Sequence, residues 1–124
     1  MSPQPKVLIV DDEPLNVDLL HQELEDFNNY QIITAFNGQE ALDKIKQYQP
    51  DLVLLDLMMP VLDGFAVLSV LKADQVLRDI PVIIVSAAHD SKSIVKGIKQ
   101  GADDYVTKPV DVDQLKSKLK EYLG

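Results

Sequence analysis

Three uninterrupted apolar runs, Val7 to Val10, Leu52 to Leu55 and Val82 to Val85, constrain this chain more than any other feature. A strand with one face in water alternates apolar and polar residues, whereas a strand covered on both faces does not. Each run is short and rich in Val, Ile and Leu, so each reads as a strand inside a parallel sheet with helices on both sides. Two weaker segments, Gln31 to Ala35 and Tyr105 to Thr107, bring the set to five.

Between these segments the spacing becomes helical. Val17, Leu20, Leu24 and Phe27 form one stripe; Ala41, Leu42, Ile45 and Tyr48 form a second; Val112, Leu115, Leu119 and Tyr122 form another. Phe65 to Leu71 is apolar on more than one face. Ile94, Val95 and Ile98 make a narrower stripe, with Lys92, Lys96 and Lys99 alongside. Pro14 suits a first helical turn, Asp63 and Asp111 suit N-caps, and Gly101 sits where the fourth helix should end. Pro50 and Pro81 precede strands.

Five strand–helix units in series predict an α/β fold with right-handed crossovers. Their number and total length fit a doubly wound, flavodoxin-like (βα)5 domain, a five-stranded parallel sheet in the order 2-1-3-4-5. Periodicity does not dictate that order, but the first, third and fourth strands are the most apolar and should lie centrally. With 124 residues and no repeat or linker, the expectation is a single domain over residues 1–124, its core spanning about 6–123, with no output domain.

Composition then excludes several functions. A net charge of −8 argues against direct nucleic-acid binding and against an anionic membrane surface. No cysteine is present, so thiol catalysis and cysteine-based zinc sites are ruled out. No apolar run approaches the roughly 20 residues of a membrane-spanning helix, and the first ten residues do not resemble a signal peptide. A cytoplasmic location is expected.

In a parallel sheet every strand ends at the same edge, and ligands bind there. Asp11, Asp12 and Glu13 follow the first strand, Asp56 closes the third, Ser86 follows the fourth, and Lys108 and Pro109 follow the fifth. Clustered carboxylates repel one another unless a cation neutralises them. A hard divalent ion, Mg²⁺ with Mn²⁺ as a substitute, suits oxygen donors and leaves positions for phosphoryl oxygens. Lys108 would add a second positive charge and Ser86 a hydroxyl donor. A carboxylate is a known phosphoryl acceptor, so an acid of this edge, Asp56 among them, could take the group. Asp51 opens the third strand, and Asp103 and Asp104 precede the fifth in a turn after Gly101; all three lie at the opposite edge and read as structural.

The segments VLIVDDEP, DLVLLDLMMPVLDG, VIIVSA and GADDYVTKP resemble the receiver (response regulator) domain of two-component phosphorelays, from about Lys6 to Leu123. The resemblance implies that Asp56 is phosphorylated by a phosphohistidine on a sensor histidine kinase or a histidine phosphotransfer protein. It implies Mg²⁺ held by Asp12 directly, by Asp11 largely through water, by Asp56 and by the Met58 backbone carbonyl. It implies that Ser86 and Lys108 contact the phosphoryl oxygens, that Tyr105 swings inward as Ser86 moves, and that the Lys108–Pro109 peptide is cis. The output would be a shift of the face made by the fourth helix, fifth strand and fifth helix, altering affinity for a downstream protein or a second, phosphorylated copy. Met58 and Ala88 depart from the family's more frequent polar residues, and His89 lies near the site.

Plainer readings stand beside these. Asp11 and Asp12 could simply start a helix, Ser86 could end a strand, and Lys108 could be a surface lysine. Tyr105 could pack on the fourth helix, and Lys92, Lys96 and Lys99 could be a solvated face. His21 and His89 are expected to be exposed. The main rival function is an interaction module of the same fold that does not use phosphorylation. An aspartyl phosphatase is a third class, but it usually carries an acid two residues past its nucleophile, where this chain has Met58. No turnover of an external substrate is expected, only phosphorylation and dephosphorylation of the chain itself.

Overall fold

A computed structural model describes residues 4–25, 27, 30–59, 62–87 and 90–124. The five strands are β1 (Lys6–Val10), β2 (Gln31–Ala35), β3 (Leu52–Leu55), β4 (Val82–Ala87) and β5 (Asp104–Lys108). Five helices alternate with them: α1 (Pro14–Glu25), α2 (Gly38–Tyr48), α3 (Gly64–Ala73), α4 (Ser91–Lys99) and α5 (Val112–Leu123). The sheet is wholly parallel, in the order β2-β1-β3-β4-β5, with β1, β3 and β4 inside as their apolarity predicts.

Successive residues of a strand point to opposite faces, and here each face is buried in its own core. Leu8, Val10, Val53, Leu55 and Ile84 pack on one side against Ala41, Leu42 and Ile45 of α2 and Val67, Leu68 and Leu71 of α3. Val7, Ile9, Leu52, Leu54, Ile83 and Val85 pack on the other against Val17, Leu20 and Leu24 of α1 and Leu115 and Leu119 of α5. Full burial of such a side chain is worth about 1.5–3 kcal/mol, so this two-sided core is the main stabilising term.

Local signals position the ends. Asp63 accepts a hydrogen bond from Ala66 N–H at 2.9 Å, and Asp111 one from Gln114 N–H at 3.1 Å, so both cap their helices as read from the sequence. Pro14 opens α1, and Gly101, at φ 116°, follows the end of α4. The acids at the opposite edge are structural. Asp51 Oδ2 takes the Lys6 amide at 2.7 Å, Asp103 Oδ2 takes the Val82 amide at 2.8 Å, and Asp104 pairs with Lys118 at 2.9 Å.

Several expectations are corrected. Helix α1 stops at Glu25, so Phe27 lies beyond it, where its ring meets Tyr30 edge-on at 5.7 Å. Tyr48 is exposed at the end of α2, and His21 is half-buried. Strand β4 runs on through Ser86 and Ala87, which pair with Thr107 and Lys108; β5 is correspondingly longer at both ends. In α4 only Ile94 and Gly97 are buried, whereas Val95 and Ile98 stay exposed. The reason is Gly97: a Cβ there would stand 2.4 Å from Ile84 Cδ1, so the helix approaches the sheet along its glycine. Ala88 and His89 lie outside the described residues.

Candidate functional site

The C-terminal edge of the sheet gathers the residues named from sequence. Backbone pairing fixes their heights: Asp56 N–H bonds Val10 O at 3.0 Å, and Asp11 N–H bonds Ala35 O at 3.2 Å, so both continue the ladder just past their strands. Gly64 lets α3 begin directly beneath, since a Cβ there would lie 2.4 Å from the Asp56 carbonyl oxygen. Asp11, Asp56 and Ser86 are the buried polar residues among those described.

Lys108 joins them from β5. Its Nζ is 2.9 Å from Asp11 Oδ2 and 3.5 Å from Asp56 Oδ2. Asp56 Oδ1 accepts Met58 N–H at 3.1 Å, while the Met58 side chain faces solvent. Asp11 also accepts the Glu13 amide at 3.0 Å and the Asn16 side chain at 3.4 Å. The Lys108–Pro109 peptide is cis. Ser86 is on the same edge, but its hydroxyl donates to Asp90 Oδ2 at 3.4 Å. Tyr105 is 46% exposed, its ring outside the core. Beside the acids, a cleft of about 310 Å³ runs from Asp11 and Lys108 past Asn16 and Leu19 to Val112.

Burial is the largest influence on the Asp56 carboxyl and pushes it from 3.8 up to about 6. Within that net rise, the Met58 amide and the Lys108 ammonium pull it down, and the charges of Asp11 and Asp12 add to the upward push. Burial also works against charge on Lys108, but the Asp11 hydrogen bond and the Asp56 and Asp11 charges outweigh it and raise its pKa. A pair of opposite charges is thus held in a poorly hydrated corner, next to further acids.

The donor set fits a small hard cation. Carboxylate oxygens of Asp11, Asp12 and Asp56 lie within 4.8 Å of one another. Ligands on one Mg²⁺ sit about 2.0–2.1 Å from it, so opposite oxygens are about 4.2 Å apart, and a small closure suffices. All-oxygen donors, two of them buried acids, are the chemistry Mg²⁺ or Mn²⁺ selects.

Two residues at this edge escaped sequence reading. Asn16, five residues after Asp11 on the first turns of α1, steadies the Asp11 carboxylate; its spacing was a usable signal. Asp90, four residues after Ser86, accepts its hydroxyl in a contact that no periodicity encodes.

A family model described as the response regulator receiver domain matches residues 7–120. RpaA of Synechocystis sp., a DNA-binding dual master transcriptional regulator, is 38% identical over 125 residues, covering 96% of this chain and 49% of RpaA. PhoP of Bacillus subtilis, an alkaline phosphatase synthesis transcriptional regulatory protein, is 39% identical over 118 residues, covering 95% of this chain and 48% of PhoP. The chain spans about half the length of these curated relatives. Among solved structures, the receiver domain of Francisella response regulator 1452 superposes with a TM-score of 0.86 at 35% identity, covering 96% of each chain.

Proposed function

The chain belongs to the response regulator receiver domain family, and from that membership we propose that it is a signalling switch operated by phosphorylation of Asp56. Receiver domains are switches of two-component systems, not turnover enzymes. The observation that carries the assignment to Asp56 is its place: a buried carboxylate 3.5 Å from the Lys108 ammonium, within one cluster with Asp11 and Asp12.

The Asp56 carboxylate, ionised above about pH 6, attacks the phosphorus of a phosphohistidine. The new O–P bond forms as the N–P bond breaks, and the electron pair returns to the donor imidazole. Lys108 Nζ pairs with a transferred phosphoryl oxygen while keeping Asp11, and the Ser86 hydroxyl donates to another. Asp11, Asp12, Asp56 and the Met58 carbonyl would hold a Mg²⁺ ion, which would supply positive charge against the phosphoryl group brought to these acids. The donor is a sensor histidine kinase or a histidine phosphotransfer protein.

The output lies on the face of α4, β5 and α5. Val95, Ile98 and Tyr105 are exposed there and line a groove of about 430 Å³ with Lys99 and Thr107. Phosphorylation biases this face between two arrangements, Tyr105 moving inward as Ser86 moves, and a downstream protein reads the difference. The setting is the cytoplasm, the chain acts as one receiver unit, and it does not itself bind nucleic acid. No helix among the described residues is long and apolar enough to cross a membrane.

Incubation with Mg²⁺ and acetyl phosphate, followed by intact-protein mass spectrometry, tests the assignment. One phosphoryl adduct is expected in the native chain and none in Asp56→Asn. An adduct that persists in Asp56→Asn, or none in either, would sink it.

A further inference from the structure

Helices α2, α3 and α5 begin in the same way. Their N-cap side chains, Asn37, Asp63 and Asp111, each accept from the amide three residues on, in Glu40, Ala66 and Gln114. Helix α4 does not. Asp90 stands at its N-cap, but its carboxylate makes no bond to the helix. Its backbone, at φ −96° and ψ 47°, also lies outside the extended region that the other three caps adopt. Asp90 Oδ2 instead accepts the Ser86 hydroxyl at 3.4 Å. The Asp90 N–H also donates to Ala87 O, the last residue of β4, at 3.0 Å. A carboxylate here ordinarily gains a cap bond and the attraction of the helix's positive end. Asp90 forgoes the cap for a long bond to a serine.

We propose that Asp90 is a latch between Ser86 and the start of α4, and that it exchanges the first partner for the second when Asp56 carries a phosphoryl group. The inference rests on Ser86 being a phosphoryl contact. Ser86 has one hydroxyl proton and gives it to one acceptor at a time. Ser86 is 2% exposed, so bulk water is not an alternative acceptor. A phosphoryl oxygen is highly charged and the stronger acceptor, and its charge repels the Asp90 carboxylate. Once released, Asp90 turns to the Ser93 N–H, the amide three residues on, as the other caps do. The first turn of α4 then gains the bond it lacked. Because α4 carries Val95 and Ile98 on its exposed side, the exchange links the edge of the sheet to the output face. Asp90 is a positioning residue: it acts through Ser86 and through the helix.

Amide hydrogen exchange at Ser93, followed by NMR in the full chain, tests the latch. Mg²⁺ with beryllofluoride, a phosphoryl mimic, should slow it about fivefold, the equivalent of a cap worth about 1 kcal/mol. Ser86→Ala should produce the same slowing with no mimic present, because it removes the proton that occupies Asp90. Ser86→Cys, similar in shape and a far weaker donor, repeats that arm independently. Asp90→Ala should abolish both responses, whereas Asp90→Asn, which keeps a capping oxygen, should retain the response to Ser86→Ala. If beryllofluoride shifts the Asp56 and Lys108 resonances while Ser93 exchange stays constant, the latch is wrong and the switch stands. If beryllofluoride shifts nothing, the switch reading fails, and the Ser86 variants decide the latch alone; unchanged exchange in them overturns it.

Discussion

Replacing Asp56, the proposed acceptor, should make the metal-free protein more stable, with an effect that grows with pH. Asp56 is 5% exposed, and its carboxyl is raised from 3.8 to about 6, chiefly by burial. The native state therefore binds its proton more tightly than the unfolded chain does. The resulting contribution to stability is present in full below 3.8 and is lost as pH rises through about 6. At about 1.4 kcal/mol for each tenfold change, the ionised carboxylate costs the fold about 3 kcal/mol at pH 8. Lys108 and the Met58 amide are already included in that figure, since they act on the same carboxyl. Asp56→Asn keeps an oxygen for the Met58 amide but carries no charge to desolvate. Urea denaturation in EDTA should show the variant more stable by about 2–3 kcal/mol near pH 8, a gap shrinking below about 1 kcal/mol near pH 4. In thermal melts the gain near pH 8 corresponds to roughly 10 °C. Equal or lower stability of Asp56→Asn near pH 8, or a gap that does not shrink with acid, would refute the assigned burial cost.

Two further outcomes follow from the same geometry. Mg²⁺ should bind more weakly as pH falls below about 6, approaching tenfold per pH unit, because a proton on Asp56 then competes with the ion; isothermal titration calorimetry between pH 5 and 8 checks this, and a constant affinity would contradict it. Gly64→Ala should cost about 2–4 kcal/mol in denaturant melts and lower acetyl-phosphate labelling, because its methyl would meet the Asp56 carbonyl oxygen at 2.4 Å, rigid backbone that cannot turn aside.

Much of the fold was legible because burial on both faces leaves an unambiguous mark. Gln31–Ala35 and Leu52–Leu55 appear with the bounds read from sequence, and the capping roles of Asp63 and Asp111 follow from residue type alone. The extra length of β4 and β5 was invisible, because Ser86, Ala87 and Lys108 pair through backbone groups to which hydropathy is blind. The inward side of α4 was misjudged for a related reason. Its contact with Ile84 runs through Gly97, which has no side chain to register, so Val95 and Ile98, read from spacing as one stripe with Ile94, stay exposed. The site residues were legible as a set because a parallel sheet brings strand ends to one edge, which is a matter of topology. Their individual bonds were not. That Lys108 lies nearer Asp11 than Asp56, and that Ser86 donates to Asp90, depends on side-chain placement that residue type and periodicity do not encode.

The parallel pairing also bears on how the chain reaches its native state. No two neighbouring strands are joined by a hairpin. Even the partners nearest in sequence, such as Ile83 with Asp104, are separated by a whole helix, and Val7 with Leu52 by two helices and a strand. Each pairing must close a long loop before it is rewarded, so assembly of the sheet is slow compared with formation of its helices. Asp11 and Asp12 come from the end of β1, Asp56 from β3, Ser86 from β4 and Lys108 from β5. These meet only after the last of the inner and β5 pairings is made. A partly folded chain carries every one of these residues and still lacks the proposed acceptor site. During refolding, the capacity to accept a phosphoryl group should return with the final strand, later than helix content.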